Sequence, residues 1–186
     1  MEYKARCGDI FLCDSDRTGA KIVKFLMTAP TIWQHVWRKI RGTQEIVRFY
    51  HAGMIISNEQ MVEQQWKVQY ANTQKILGRK VIIYRNKNIT EDGQWIFKGK
   101  AAEDIGKTYD IPQLIGKTLT WLTGIKLFVR FLGSWSNEEE ICVTRVGDWY
   151  EGICNFGVKT KSEITTKILD EYCQKHTDEW EIVYTN

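Results

Sequence analysis

Prolines number two, histidines three, and CxxC pairs none: these are what the chain has least of. With so little proline, no Ser/Gly-rich linker, no repeat of fixed period and no low-complexity tract, nothing marks an internal boundary. At 186 residues the chain suffices for one well-buried core and is too short for two ordinary domains, so residues 1–186 read as a single domain. The cysteines, Cys7, Cys13, Cys142, Cys154 and Cys173, are odd in number and never spaced as metal-ligand pairs. A disulfide framework and a structural zinc site are both excluded on that pattern, and a reducing compartment is the simpler setting. The opening MEYKARCGDIFLCDSD has neither a continuous apolar run nor a small-residue cleavage site. A cytoplasmic protein is expected, and a phage-encoded one fits equally.

Acidic residues are nearly missing from 17–48, where Glu45 stands against Arg17, Lys21, Lys24, Arg38, Lys39, Arg41 and Arg48. The formal net charge of the whole chain is only +3, so its basicity is local. Within that stretch TIWQHVWRKIRG places Trp33, Val36, Trp37 and Ile40 on one helical face, with Arg38, Lys39 and Arg41 beside it. Three roles suit such a helix: packing on the core, lying in a membrane or lipid interface, or contacting nucleic acid. Core packing is the default. A lipid surface through Trp33, Trp37, Arg38 and Lys39 comes next, because residues 114–135 again combine Trp with Lys/Arg and no acid. Nothing else in the chain supports nucleic acid.

What is present is a set of short apolar runs. GDIFLCD, HAGMIIS, QMVEQQWKVQYA, KVIIYRNK and EWEIVYT read as strands, the second and third forming a hairpin about Asn58-Glu59. Helices are expected over 18–27, 31–42, 90–110 with Thr90 as N-cap, 137–157 with Asn137 as cap candidate, and ITTKILDEYCQKH. The fold class is therefore α+β, an antiparallel sheet packed with helices.

Thiol-based acyl transfer needs a thiol, an imidazole in reach of its proton, and a polar group that sets the imidazole's tautomer. His51 heads a strand, and Ala52-Gly53 leaves room beside it. Glu63 is the first choice to orient it, and register decides. If Asn58-Glu59 alone form the turn, His51 lies opposite Trp66 and Gln64 shares its face; if three residues turn, His51 lies opposite Gln65 and Glu63 joins its face. Gln65 or Gln64 is the fallback. Cys142 is the preferred thiol because it lies near the start of an expected helix, where a thiolate is stabilised, although Glu138, Glu139 and Glu140 precede it. Cys154 and Cys173 fall in amphipathic helical patterns and read as core. His35 and His176 sit among polar neighbours and read as exposed.

The order GDIFL, HAGMII, MVEQQW, IGKTYD, ICVTRV resembles the circularly permuted papain-like amidases of the NlpC superfamily, the YaeF/YiiX-like group, over about residues 8 to 184. The resemblance implies a permuted papain-like fold with His51 as base, Glu63 as orienter and Cys142 as nucleophile. It places Tyr109 at a Tyr-Asp position, and Tyr109 and Gln65 are further candidates for contact with substrate or an oxyanion. The chain departs from the group in having Val143-Thr144 after the cysteine and a longer stretch between the first strand and the histidine. The implied activity is a cysteine hydrolase acting on an amide or peptide bond, cell-wall peptide included, with no metal or organic cofactor. Its rivals are a lipid-directed acyl hydrolase or acyltransferase on the same scaffold, and a catalytically silent, virion-associated binding protein.

Overall fold

A computed structural model describes residues 3–14, 49, 51–108, 115, 116, 119 and 142–186. Six strands make one antiparallel sheet: β1 (Ile10–Cys13), β2 (His51–Ile55), β3 (Gln60–Gln64), β4 (Val68–Asn72), β5 (Val81–Asn86) and β6 (Trp180–Thr185). Their spatial order is β4-β3-β2-β1-β5-β6, an open sheet with β1 near its middle. The central position explains why β1 is an unbroken apolar run: Ile10 and Leu12 face one side, Phe11 and Cys13 the other, and all four are inaccessible.

Helices α1 (Gln74–Leu77), α2 (Glu91–Asp104), α3 (Cys142–Trp149) and α4 (Thr166–Lys175) complete the described elements with a short 3-10 turn at Lys161–Glu163. The larger core joins Ile10, Leu12, Ala52 and Met54 of the sheet to Phe97 of α2, Val143 and Val146 of α3 and Leu169 of α4. Tyr150, Phe97, Phe156 and Trp180 pack their rings at its centre, with centroids 4.8 to 5.5 Å from that of Tyr150. A smaller core on the opposite face gathers Phe11, Cys13, Ile55, Met61, Val81 and Ile83 around Ile76 of α1.

Thr90 caps its helix as expected, accepting from Gly93 N, and Thr165, not singled out in the sequence, caps another by accepting from Ile168 N. Helix α3 is tied to α2 by Asp104, whose carboxylate accepts from Trp149 Nε1 at 2.8 Å and pairs with Arg145 and Lys107. That joint matters because α3 carries Cys142.

Three expectations need correction. QMVEQQWKVQYA is two strands, not one: the chain turns back at 65–67, where polar Gln65 and exposed Trp66 interrupt the alternation, and Gln64 pairs with Val68 across the turn. The helix expected to reach 157 ends at Trp149, followed by a turn in which Gly152 adopts φ 89°, a conformation that leaves the helix. Cys154 therefore lies beyond the helix and is half-buried. The helix expected over 90–110 stops at Asp104, because the chain after it runs back along β4, Gly106 N donating to Val68 O. The expected helices over 18–27 and 31–42, with Trp33, Trp37, Arg38 and Lys39, the Asn137 cap, and residues 120–135 lie outside the described residues. No helix among the described residues is long and apolar enough to cross a membrane.

Candidate active site

The site forms where β1, β2 and β3 end together beneath the first residue of α3. Its geometry starts at the hairpin. Ile56 N and Ser57 N both donate to Gln60 O, and Ser57 Oγ accepts from Gln60 N at 3.1 Å, so Ser57, Asn58 and Glu59 make a three-residue turn. That turn sets Gly53 opposite Glu63 and Met54 opposite Val62. Continued along the strand, this register puts His51 opposite position 65 and Glu63 on its face as a diagonal neighbour. His51 Nε2 and Glu63 Oε2 are 2.9 Å apart, with side-chain exposures of 13% and 6%. A charge-assisted hydrogen bond of that length, shielded from water, fixes the ring's orientation.

On its other side the ring meets the thiol. Cys142 makes a side-chain hydrogen bond with His51, and since Nε2 is engaged by Glu63, Nδ1 is the nitrogen left for it. Burial of the imidazole works to lower its pKa, but the hydrogen bonds to Cys142 and Glu63, with the charges of Cys142 and Cys13, outweigh it and hold the ring well above its ordinary range. Glu63 shows the complementary effect. Burial pushes its carboxyl up, and the hydrogen bond and charge of His51, helped by Gln69 and Gln65, pull it below the ordinary carboxylate range. The ring is thus poised as a cation between an anionic carboxylate and a thiol.

Phe11 supplies the floor. Its ring lies 6.0 Å from that of His51 and occupies the space a side chain at 53 would need. Cys13 stands directly across from His51 on β1, a second thiol beside the imidazole that nothing in its sequence context singles out. The fallback orienters take other roles. Gln65 Nε2 donates to Glu63 Oε1 at 2.7 Å, whereas Gln64 points to the opposite face and donates to Thr108 O at 2.8 Å. Gln69, on β4 opposite Glu63, also approaches Oε1 and was visible in the sequence only as one more polar residue. Tyr109, Glu138, Glu139 and Glu140 lie outside the described residues. His176 is half-buried rather than exposed, its ring stacked on Tyr172 at 3.9 Å and its Nδ1 2.9 Å from Tyr172 O. It lies on α4's end and takes no part here.

Cys142 differs from the other four cysteines in its hydrogen bond with His51, not in being less buried. Burial raises the thiols of Cys13, Cys154 and Cys173 and pushes Cys7 up to about 11. Brief iodoacetamide treatment near neutral pH, followed by peptide mapping, is therefore expected to modify Cys142 first, because thiolate fraction governs the rate along with access. Cys154, the most accessible thiol of the five, is the informative competitor. Labelling of Cys154 ahead of Cys142 would mean that access alone ranks them and that Cys142 is not activated.

Among the described residues no group of three or more His, Cys, Asp or Glu side chains is placed to hold a metal ion. His51 in particular spends both ring nitrogens on Glu63 and Cys142.

Fold and site together define an α+β protein in which a histidine strand of an open antiparallel sheet precedes, in the chain, the helix that presents a thiol to it. One solved structure with this architecture is that of metalloprotein yiiX from Escherichia coli O157:H7, which is similar with a TM-score of 0.53 over 98% of this chain and 90% of that one, at 16% sequence identity. That likeness is one of fold. No family model matches the chain, and no curated sequence matches it significantly.

Proposed function

We propose that the chain is a thiol hydrolase that cleaves an amide or peptide bond through Cys142, His51 and Glu63. The observation that carries this reading is the imidazole of His51 hydrogen-bonded on one side to Cys142 and on the other to Glu63. In the first half-reaction Cys142, its proton held by His51, attacks the carbonyl carbon as a thiolate, the C–N bond breaks, and His51 gives that proton to the departing amine. In the second, the now neutral His51 takes a proton from water, whose oxygen attacks the acyl carbon and releases the carboxylic acid, leaving Cys142 as a thiolate beside the protonated ring. Glu63 stays ionised throughout and holds the ring's tautomer and angle. The backbone N–H of Cys142 is the donor assigned to the oxyanion, an interaction worth about 3 kcal/mol in such sites.

That yiiX is described as a metalloprotein is not carried over to this chain. The donor set here is a thiol, an imidazole and a carboxylate bonded to one another, and no step above passes through an ion. Cell-wall peptide is the substrate class the YiiX-like resemblance suggests. The lipid-directed alternative draws on residues 31–41 and 114–135, and none of the described contacts favours it. Labelling by a panel of amide- and ester-directed activity probes tests the reading, with the Cys142→Ala protein as control. Labelling in the parent protein and its loss in the variant support it; no labelling by any probe points to a silent member of the fold.

A further inference from the structure

Glu63 divides its two carboxylate oxygens between different partners. Oε2 meets His51, while Oε1 accepts from Gln65 Nε2 at 2.7 Å and lies 3.5 Å from Gln69 Nε2. The two glutamines reach it by independent routes. Gln65 stands two residues along from Glu63, on the same face, and Gln69 is its direct partner on β4. Both are half-buried, at the strand ends that line the site. We propose that Gln65 and Gln69 form an amide clamp on Glu63, positioning residues that hold its carboxylate so that Oε2 keeps His51 in line with Cys142. This deepens, and rests on, the thiol-hydrolase reading of the same three residues.

The physical case has three parts. A glutamate's terminal torsion is broad, so a carboxylate bound through one oxygen can swing and take its partner with it; donors on the second oxygen remove that freedom. The donors are neutral amides. A lysine or arginine at 65 or 69 would compete with His51 for the charge of Glu63, whereas an amide fixes the carboxylate and leaves its charge to the imidazole. Finally, the clamp is specific to one face of a glutamine-rich segment: Gln64, between Glu63 and Gln65, turns away and serves Thr108. The titratable groups that act with Glu63 at this spot are His51 from β2, Cys13 from β1 and Cys142 from α3, with Arg79 acting on Cys13. Oε1 meets the two amides, and Oε2 meets His51.

The test is the pH dependence of Cys142 alkylation by iodoacetamide, read by peptide mapping on the full chain. The proteins compared are the parent, Gln65→Met, Gln69→Met, the double variant, and the double variant combined with Glu63→Gln. With the clamp removed, Glu63 holds the imidazolium less firmly, so His51 gives up its proton at lower pH and the ion pair with Cys142 persists over a narrower range. The upper limb of the profile, where His51 deprotonates, should move down by about 0.5 to 1 pH unit in the double variant. Gln65→Met should contribute more than Gln69→Met, because 2.7 Å is a full hydrogen bond and 3.5 Å a marginal one. In the Glu63→Gln background the same changes should move the limb no further, since the clamp acts through Glu63. If the methionine double variant fails to fold, Gln65→Asn carries the same amide one methylene short and should shift the limb in the same direction. An unmoved limb beside an activated parent Cys142 overturns the clamp, as does a lowered Tm with no change in profile, or an equal shift without Glu63. A parent Cys142 no faster than the other thiols removes the hydrolase reading itself, and the clamp with it.

Discussion

Replacing Cys142 by alanine is expected to leave a folded protein whose turnover of any substrate found for it drops by about 10³-fold or more. The size follows from what is removed. Without the sulfur there is no covalent intermediate, and the remaining His51–Glu63 pair must activate water for direct attack on an amide, the step that nucleophilic catalysis divides in two. The structural cost is small by comparison. Cys142 is buried at the first position of α3, while the packing of that helix rests on Val143, Val146 and Trp149. Loss of one sulfur is worth about 1 kcal/mol of burial. A melting curve therefore separates the two effects: an unchanged fold with lost turnover is the expected pair of results. Turnover that survives in the variant and is then lost on Cys13→Ala would move the nucleophile to the neighbouring strand, where Cys13 faces His51.

Gly53→Ala is expected to unfold the domain or to lower its stability by about 3 kcal/mol, measured by urea denaturation. A Cβ at 53 would sit 2.4 Å from the tip of the Phe11 ring and 2.6 Å from Val62 O. The ring is confined in the smaller core and the carbonyl belongs to the β2–β3 ladder, so neither can retreat as the end of a flexible side chain could. Gly147 offers the contrast. An added Cβ there would meet the Cδ1 end of Ile164, which can rotate away, so alanine at 147 should cost less than alanine at 53. Since Gly53 lies between the positions of His51 and Ile55 on the face that carries Glu63, a partly folded Gly53→Ala protein should also lose the preferential alkylation of Cys142. Equal stability of the parent and Gly53→Ala proteins would mean that Phe11 does not lie across β2.

How much of this was readable in the residues differs from element to element. β1, β2 and β5 announce themselves as short apolar runs because a central strand needs apolar side chains on both faces. The placement of Glu63 beside His51 was reducible to one question, the number of residues in the turn at 57–59, but not answerable from composition: a two-residue and a three-residue turn both suit Ser-Asn-Glu, and the choice flips every side chain. The structure takes the three-residue form through the Ser57 hydroxyl. The break at 65–67 was hidden because Gln65, Trp66 and Lys67 include neither glycine nor proline, the residues that usually mark a reversal. The same gap concealed Gln69, which matters only once β4 folds back to bring it opposite Glu63. The early end of α3 was signalled by Gly152, whose backbone conformation the helical pattern around it disguised. Cys142 was legible from a helix start and a motif order. The pairing with His51 comes from strand β2 and helix α3 meeting across some ninety residues of chain, a separation that local periodicity does not span.

The central claim is that His51 works as a cation between Cys142 and Glu63, and the most direct measurement is an NMR titration of the His51 ring protons in the parent and Cys142→Ala proteins. His51 is resolved from His35 and His176 by comparison with a His51→Ala spectrum. A ring whose pKa is raised by its partners stays protonated as pH rises through the ordinary histidine range and gives up its proton only above it. In the parent protein His51 should therefore remain cationic through neutral pH. In Cys142→Ala the larger of the two favourable hydrogen bonds is gone while burial continues to oppose the charge, so the ring should deprotonate at distinctly lower pH. A His51 that titrates in the ordinary range in the parent protein, or that titrates identically with and without Cys142, would contradict the account.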